Sequence, residues 1–165
     1  MFIKNFDDGY QFEKEIFDIS SREIAPFIKH YFNYKHRRYR QSNFLNDFLI
    51  VKNIQEECFN WDPGKPHTEI GRILLQILSR YLRDGRGKVK LFCALGTPMD
   101  YRGVDCFFEK DGYIVTIDLT ISKEKRQKKK HVADFVISAN DLRYDEHYKI
   151  LKSVANSFKS IKNYR

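Results

Sequence analysis

Two carboxylates, Asp105 and Asp118, are predicted to face each other across a β-hairpin. The hairpin is indicated by Asp111-Gly112, because a two-residue type I′ turn needs positive φ at both central positions and Gly adopts it without strain. On both sides of this turn, residues alternate in the way that β-strands require. Counting outward from the loop, the predicted pairs are Lys110–Tyr113, Phe107–Thr116 and Asp105–Asp118.

The facing carboxylates indicate a metal site. Like charges directly opposite each other destabilise a sheet, and a bound divalent cation removes that penalty. Mg²⁺ is held by one or two carboxylates together with waters and substrate phosphates, and it can activate water for phosphodiester cleavage. A shifted register, or two solvated carboxylates on an open face, would explain the same residues without a metal. The opposite face of the ribbon is predicted to be core, with Val104, Cys106, Phe108, Val115, Ile117, Leu119 and Ile121.

The composition indicates a folded, basic protein. With 165 residues the chain can form one domain, or a domain with an extension, and its 15% aromatic residues disfavour disorder. A net charge of +8 and a pI near 9.3 suit a polyanionic partner such as nucleic acid, although a merely basic protein would look the same. The absence of a long apolar run or a secretory signal predicts a cytoplasmic protein without a membrane partner. We interpret the three cysteines as reduced thiols.

A helix followed by strands is predicted in the second part of the chain. Apolar residues recur at helical spacing from Ile70 to Leu82, Thr68 is a candidate N-cap and Gly85 a candidate stop. Glu69 lies about 100° from Ile70 on a helical wheel, so it either points toward the sheet or simply favours the helix N-terminus. Strands are predicted over 88–95 and 133–138, and a last helix packs through a stripe that includes His147.

The first 65 residues are predicted to form a helical extension, and residues 66–165 an α/β core. Ser20 and Glu23 are spaced as a capping box, but Pro26 would then lie inside the helix, so we expect a break and a new helix near Pro26. The segment 44–54 is ambiguous between helix and strand. Cations and aromatics alternate around residue 37, which suits either a nucleic-acid backbone contact or a solvated helix end. The cations involved are Lys35, Arg37, Arg38 and Arg40.

The order helix, three strands, basic connection, strand, helix resembles the PD-(D/E)XK nuclease superfamily. The resemblance covers residues 66–165 and implies a restriction-endonuclease-like fold, in which a mixed β-sheet is flanked by helices. It matches Glu69 to the acid of the first helix, Asp105 to the "PD" acid and Asp118 to the second acid. It also implies that the main-chain carbonyl of Leu119 joins the shell of a Mg²⁺ or Mn²⁺ ion. Asp100 could replace Glu69 or add an outer contact.

Two positions depart from the motif. Val104 stands where the proline would, and that proline does no chemistry. Thr120 stands where the family has a lysine that orients or activates the attacking water. Lys123 and Lys125 are both candidates to replace it, since a bulge or strand end near Ser122 would correct their strand parity.

These features predict a metal-dependent DNA endonuclease. Nucleic-acid contacts are expected from the N-terminal cations, from Arg102 and from the basic run that contains Lys128, Lys129 and Lys130. A binding protein that keeps the nuclease fold without cleavage is the main alternative, and a basic adaptor for another protein is a third. A homodimer formed through the N-terminal helices would supply the two active sites that a double-strand cut commonly needs.

Overall fold

A computed structural model describes residues 8–35, 44–83, 87–121, 132–143 and 146–162. The helices are α1 (Gly9–Phe17), α2 (Ser21–Lys35), α3 (Phe44–Asn53), α4 (Glu69–Tyr81), α5 (Pro98–Tyr101), α6 (Ala139–Arg143) and α7 (His147–Lys162), with a π-helical turn at Gln55–Phe59. The strands are β1 (Lys90–Cys93), β2 (Cys106–Lys110), β3 (Tyr113–Thr120) and β4 (Phe135–Ser138). No described helix is long and apolar enough to cross a membrane.

The four strands form one mixed sheet in the order β1-β2-β3-β4. The first three strands are antiparallel neighbours, and β4 runs parallel to β3. The predicted hairpin register is confirmed by the pairs Lys110–Tyr113 and Phe107–Thr116. Asp111 and Gly112 form the loop with φ of 54° and 81°, as a type I′ turn requires.

Both faces of the sheet are covered, which confirms the predicted α/β architecture with helices flanking a mixed sheet. On one face, Phe108 and Ile117 belong to a core that includes Leu74 and Leu78 of α4 and Leu151 of α7. On the other face, a smaller core joins Phe107 to Phe48 of α3. The two rings meet edge to face with centroids 5.1 Å apart. The two central strands, β2 and β3, are therefore held between two apolar layers.

The helix predicted from Ile70 onward is confirmed as α4. The Thr68 hydroxyl caps it by accepting the Gly71 N–H at 3.2 Å, and donates in turn to the carbonyl of Ile16 in α1 at 2.5 Å. Phe12, Ile16 and Phe17 of α1 lie in the same core as the sheet. The first helices thus share the core of the α/β unit, and the division at residue 65 stays a prediction.

The expected helix break at Pro26 is wrong. The capping box is present, with the Ser20 N–H donating to Glu23 at 3.1 Å, and α2 continues through Pro26. Proline costs one main-chain hydrogen bond there, but Ile24 and Ile28 on the same helix are fully buried. Their packing offsets the lost bond. The ambiguous segment 44–54 is helical, and it forms α3.

The outer edge of β1 is closed by two side chains and by the main chain of Pro63. The buried Gln55 amide donates to the Cys93 carbonyl at 2.8 Å and accepts the Cys93 N–H at 3.0 Å. The Trp61 indole donates to the Leu91 carbonyl at 2.8 Å, and the Leu91 N–H donates to the Pro63 carbonyl at 2.9 Å. An edge strand with its polar groups already paired cannot add a further strand there.

Candidate functional site

Asp105 lies at an irregular position just before β2. Its N–H donates to the Ile117 carbonyl at 2.9 Å, although Ile117 is already the registered partner of Cys106. Two residues of one strand thus face one residue of the other, which is the pattern of a β-bulge. The bulge corrects one expectation: Val104 packs with Phe107 in the smaller core and not with Cys106 and Phe108. It also ends the regular ladder one residue before the predicted Asp105–Asp118 pair.

Beyond the end of the regular ladder, the Asp105 carboxylate accepts a main-chain hydrogen bond from β3 in place of a strand partner. Its Oδ2 accepts the main-chain N–H of Leu119 at 2.6 Å, and only 7% of the residue is exposed. Leu119 directly follows Asp118, which is half-buried and pairs with Val136 in the parallel ladder to β4. The carboxylate is therefore held against the segment of β3 that carries the second acid.

Asp100 brings a third carboxyl group to the same place. Thr97 caps the short helix α5 by accepting the Met99 N–H at 3.2 Å, and Asp100 accepts the Gly96 N–H at 2.6 Å. The Asp100 and Asp105 side chains lie close enough for each to influence the pKa of the other.

The electrostatics of the site disfavour ionisation. Burial raises the pKa of Asp105 well above its ordinary value, and the charges of Asp100 and Asp118 raise it further. Burial also raises the pKa of Asp100, with a smaller contribution from Asp118. These carboxyl groups therefore hold a proton at a higher pH than exposed aspartates do, and they offer a site where a cation can replace it.

A fourth acid, Glu13, comes from α1, and the sequence analysis did not single it out. Its carboxylate accepts the Ser21 N–H at 2.6 Å and the Ser21 hydroxyl at 3.0 Å, which ties α1 to the start of α2. Burial raises the pKa of Glu13, and the charge of Asp100 adds to this rise. The same acids, Asp100, Glu13 and Asp105, also help burial to raise the pKa of the Cys93 thiol. The only feature of the sequence that could have indicated Glu13 as a site residue is its place on the same helix as the apolar residues Phe12 and Ile16.

The other predicted site residues lie in different environments. Glu69 is exposed in the first turn of α4, and Thr120 pairs with Ser138 in the parallel ladder. Arg102 forms an ion pair at 3.1 Å with Asp47, which is fully buried in α3. The predicted residues that lie outside the described residues are Arg37, Arg38, Arg40, Lys123, Lys125, Lys128, Lys129 and Lys130, and the side chain of Lys35 is also outside them.

The site contains oxygen donors of the kind that a hard cation needs. Across the described residues, no three His, Cys, Asp or Glu side chains are grouped as a metal site. Mg²⁺ does not require such a group, because it keeps several waters and is held through one or two carboxylates. Asp105 and Asp118, with the Leu119 carbonyl, supply oxygen donors of the right kind. The pKa of Asp105 is raised by burial and by the charges of Asp100 and Asp118, so positive charge is favourable at this point.

Comparison with known proteins gives no assignment: no protein-family model, curated protein or solved structure matches the chain.

Proposed function

We propose that the protein is a metal-dependent nuclease that hydrolyses phosphodiester bonds, acting on DNA as an endonuclease. The observation that carries the proposal is the buried Asp105 carboxyl, which accepts the Leu119 N–H at 2.6 Å and whose pKa is raised by burial and by the charges of Asp100 and Asp118. A fold with no use for these acids would not gather them at one end of its sheet, because mutual repulsion and burial both cost stability. We also propose that the mixed sheet is a restriction-endonuclease-like core.

In this proposal, Asp105, Asp118 and the Leu119 carbonyl would hold Mg²⁺ or Mn²⁺. When bound, such an ion would supply a water of lowered pKa and stabilise the charge that develops on the phosphate. The Leu119 N–H fixes the direction of the Asp105 carboxylate, and the Gly96 N–H fixes that of Asp100. Asp100, whose charge influences Asp105, would take part either by accepting a proton or by orienting a water. A lysine at position 123 or 125 would orient the attacking water in place of Thr120.

We assign the role of the helical acid to Glu13 in preference to Glu69. Glu13 is half-buried and its pKa responds to Asp100, whereas Glu69 is exposed. A matched pair of variants separates the two. Glu13→Gln keeps an acceptor for the Ser21 N–H and should weaken Mn²⁺ binding, while Glu69→Gln should leave it unchanged. The reverse result would return the role to Glu69.

A second function is favoured by one observation. Thr120 occupies the position of the motif lysine, so the chain could bind nucleic acid on a nuclease fold without cleaving it. The net charge of +8 supports nucleic-acid binding in both cases. A pure binding protein would show steep salt dependence of binding and no cleavage with any divalent metal.

A homodimer remains part of the proposal. α2 and α3 carry exposed apolar side chains, with Phe27 68%, Leu45 67% and Leu49 52% exposed. Burying such a surface against a second copy would stabilise a dimer and bring two sites to one duplex. Sedimentation at working concentration tests this, and a monomer would remove the dimer without affecting the proposed chemistry.

Metal binding tests the proposed site directly. Titration calorimetry with Mn²⁺ should detect binding by the wild-type protein and by Glu56→Gln, which removes one exposed charge in the π-helical turn. Asp105→Asn should abolish the signal, because it removes a charged ligand but preserves an acceptor for Leu119. Equal Mn²⁺ binding by all three proteins would show that the metal is held elsewhere.

A further inference from the structure

Two cysteines lie directly opposite each other at the ends of β1 and β2. Cys93 is the last residue of β1, and the register of the sheet pairs it with Cys106, the first residue of β2. Both side chains belong to the larger core, and both are free thiols. Cys93 is fully buried and Cys106 is 3% exposed. The two thiols therefore lie in the same apolar layer, on one face of the sheet.

The main-chain hydrogen bonds show which kind of strand pair the cysteines form. The N–H and the C=O of Cys93 both bond to the Gln55 side chain on the outer side of β1, and not to β2. The next residue, Ala94, donates its N–H to the Asp105 carbonyl at 2.8 Å. Hydrogen-bonded and non-hydrogen-bonded pairs alternate along an antiparallel ladder. Cys93 and Cys106 are therefore a non-hydrogen-bonded pair, the kind in which opposed side chains are closer.

This kind of pair meets the distance requirements of a disulfide. Its Cα atoms are about 4.5 Å apart, and Cα atoms joined through a disulfide are usually about 4.4–6.8 Å apart. The Cβ atoms of opposed residues are about 4.5–5.5 Å apart, with the shorter values in non-hydrogen-bonded pairs, and a disulfide needs about 3.5–4.5 Å. Bonding the two sulfur atoms thus requires only a small approach of the strand ends.

We propose that Cys93 and Cys106 form a reversible cross-strand disulfide, so that oxidation closes the loop between β1 and β2 at its base. This loop, residues 94–105, carries both Asp100 and Asp105. The bond would hold the two strand ends together beneath these acids. The inference goes beyond the proposed nuclease function and does not rest on it, because it follows from the register of two strands.

A peroxide supplies the oxidising equivalents for this step. It oxidises one thiolate to a sulfenic acid and is itself reduced to water. The opposed thiol then attacks the sulfenic sulfur, so that the S–S bond forms, the S–O bond breaks and a second water leaves. The two cysteines lose two hydrogen atoms in total. A dithiol reductant reverses the change by thiol–disulfide exchange.

The outer edge of β1 controls access to the pair. Buried thiols react slowly, so the oxidant reaches them when this edge opens locally. The Gln55 side chain closes the edge through its two hydrogen bonds to Cys93. Gln55→Leu should therefore form the disulfide faster than Glu56→Ala, which changes an exposed residue of the same turn. Equal rates in these two variants would overturn this route of access.

Cysteines that only fill space in the core would behave differently. A free cysteine packs as a small apolar side chain, and many are buried for that reason alone. Such a pair would stay reduced while the protein is folded, or would oxidise at each sulfur separately. An opposed pair instead captures the sulfenic acid as a disulfide.

Peptide mapping of the folded wild-type protein tests the bond without any substitution. After a limiting dose of hydrogen peroxide, free thiols are blocked with iodoacetamide, and trypsin separates the two cysteines by cutting after Arg102. We expect one linked pair of peptides that contains Cys93 and Cys106, and its loss with dithiothreitol. Cys58→Ala, a change in the π-helical turn, should give the same link. A link through Cys58, sulfinic acid without a link, or two thiols that stay reduced would overturn the inference.

Stability gives an independent readout of the same bond. A disulfide that closes a loop of this length should lower the equilibrium constant of unfolding about 100-fold, mainly by restricting the unfolded chain. Urea denaturation should show this shift between the reduced and the oxidised wild type. Cys93→Ala, treated with peroxide in the same way, should show no shift. Equal or lower stability of the oxidised wild type would overturn the inference.

Discussion

The main-chain N–H of Leu119 donates a 2.6 Å hydrogen bond to Oδ2 of Asp105. This bond joins the end of β3 to the residue before β2, where the regular ladder has already stopped at Cys106–Ile117. One carboxylate oxygen thereby replaces a strand partner, and the rest of the group stays available to Asp100 and to a ligand. The contact links the stability of the sheet to the chemistry of the site.

Two substitutions of Asp105 separate its structural role from its charge. Asp105→Asn keeps an acceptor for Leu119 and removes a buried ionisable group, whereas Asp105→Ala leaves the Leu119 N–H unpaired. We expect the alanine variant to have a free energy of unfolding about 1–3 kcal/mol lower than that of the asparagine variant. Urea denaturation in EDTA measures the difference. Equal stabilities would mean that the Leu119 bond contributes nothing.

Stability without metal should fall as pH rises. The pKa values of Asp105, Asp100 and Glu13 are raised in the folded state, so between the unfolded and folded values the folded state binds more protons than the unfolded state. Each group can contribute a slope of at most about 1.4 kcal/mol per pH unit, all of it unfavourable with rising pH. Thermal unfolding in EDTA across this range should show the fall, and Asp105→Asn should make it shallower.

A bound cation should reverse that trend. Because metal and protons compete for the same oxygens, the stabilisation by Mn²⁺ should grow with pH over the same range. Thermal unfolding with and without Mn²⁺ at each pH measures this gain. A stabilisation that is independent of pH would place the metal away from these carboxyl groups.

Gly96 is expected to be important for the position of Asp100. Its φ is +71°, and a Cβ there would lie 2.7 Å from Ile24 Cγ2 and 3.1 Å from the Ala25 main chain. Gly103 is a matched control, since it has a φ of +86° and open space around a Cβ. Gly103→Ala should cost about 1 kcal/mol from backbone strain alone, and Gly96→Ala clearly more. Urea denaturation compares the two variants, and equal costs would show that the contact with α2 is loose.

Replacing Gln55 should lower the free energy of unfolding far more than replacing a neighbouring surface residue does. Its replacement by Leu removes the partners of both the N–H and the C=O of Cys93 at the edge of β1. We expect a loss of about 2–4 kcal/mol, since each unpaired buried polar group costs about 1–3 kcal/mol. Glu56→Ala, at an exposed site, should stay within about 0.5 kcal/mol of the wild type. Hydrogen exchange at the Cys93 amide should accelerate in Gln55→Leu, and unchanged protection there would contradict this explanation.

Local signals predicted the elements that depend on local physics. The Asp111-Gly112 turn predicted the hairpin register, and the apolar stripe after Thr68 predicted α4. Both predictions were possible because turn geometry and helical periodicity depend on residues that are close in sequence. The packed role of His147 was also anticipated: the residue is 3% exposed, and its Nδ1 lies 3.3 Å from the Asp141 carbonyl.

The features that were missed depend on distant parts of the chain. The bulge at Asp105 arises where β2 meets both the end of β1 and the middle of β3. No turn residue in the sequence indicates it. Gln55 closes an edge 38 residues away, and tertiary packing brings Glu13 near enough to Asp100 for the charge of Asp100 to raise the pKa of Glu13. The expected break at Pro26 is absent because the burial of Ile24 and Ile28 on the same helix offsets the hydrogen bond that the proline cannot make.

Cleavage of supercoiled plasmid tests the central claim most directly. Wild type, Glu56→Gln and Asp118→Asn are incubated with plasmid in Mg²⁺, Mn²⁺ or EDTA, with nicked and linear products resolved on a gel, and a single-stranded circle serves as a second substrate. We predict cleavage by the wild type and Glu56→Gln only with metal. Asp118→Asn should be slower by at least about 100-fold, because even outer-shell changes cost about 10- to 100-fold at metal sites. Intact substrates with every metal, or equal cleavage by Asp118→Asn, would contradict the assignment of this site as a nuclease centre.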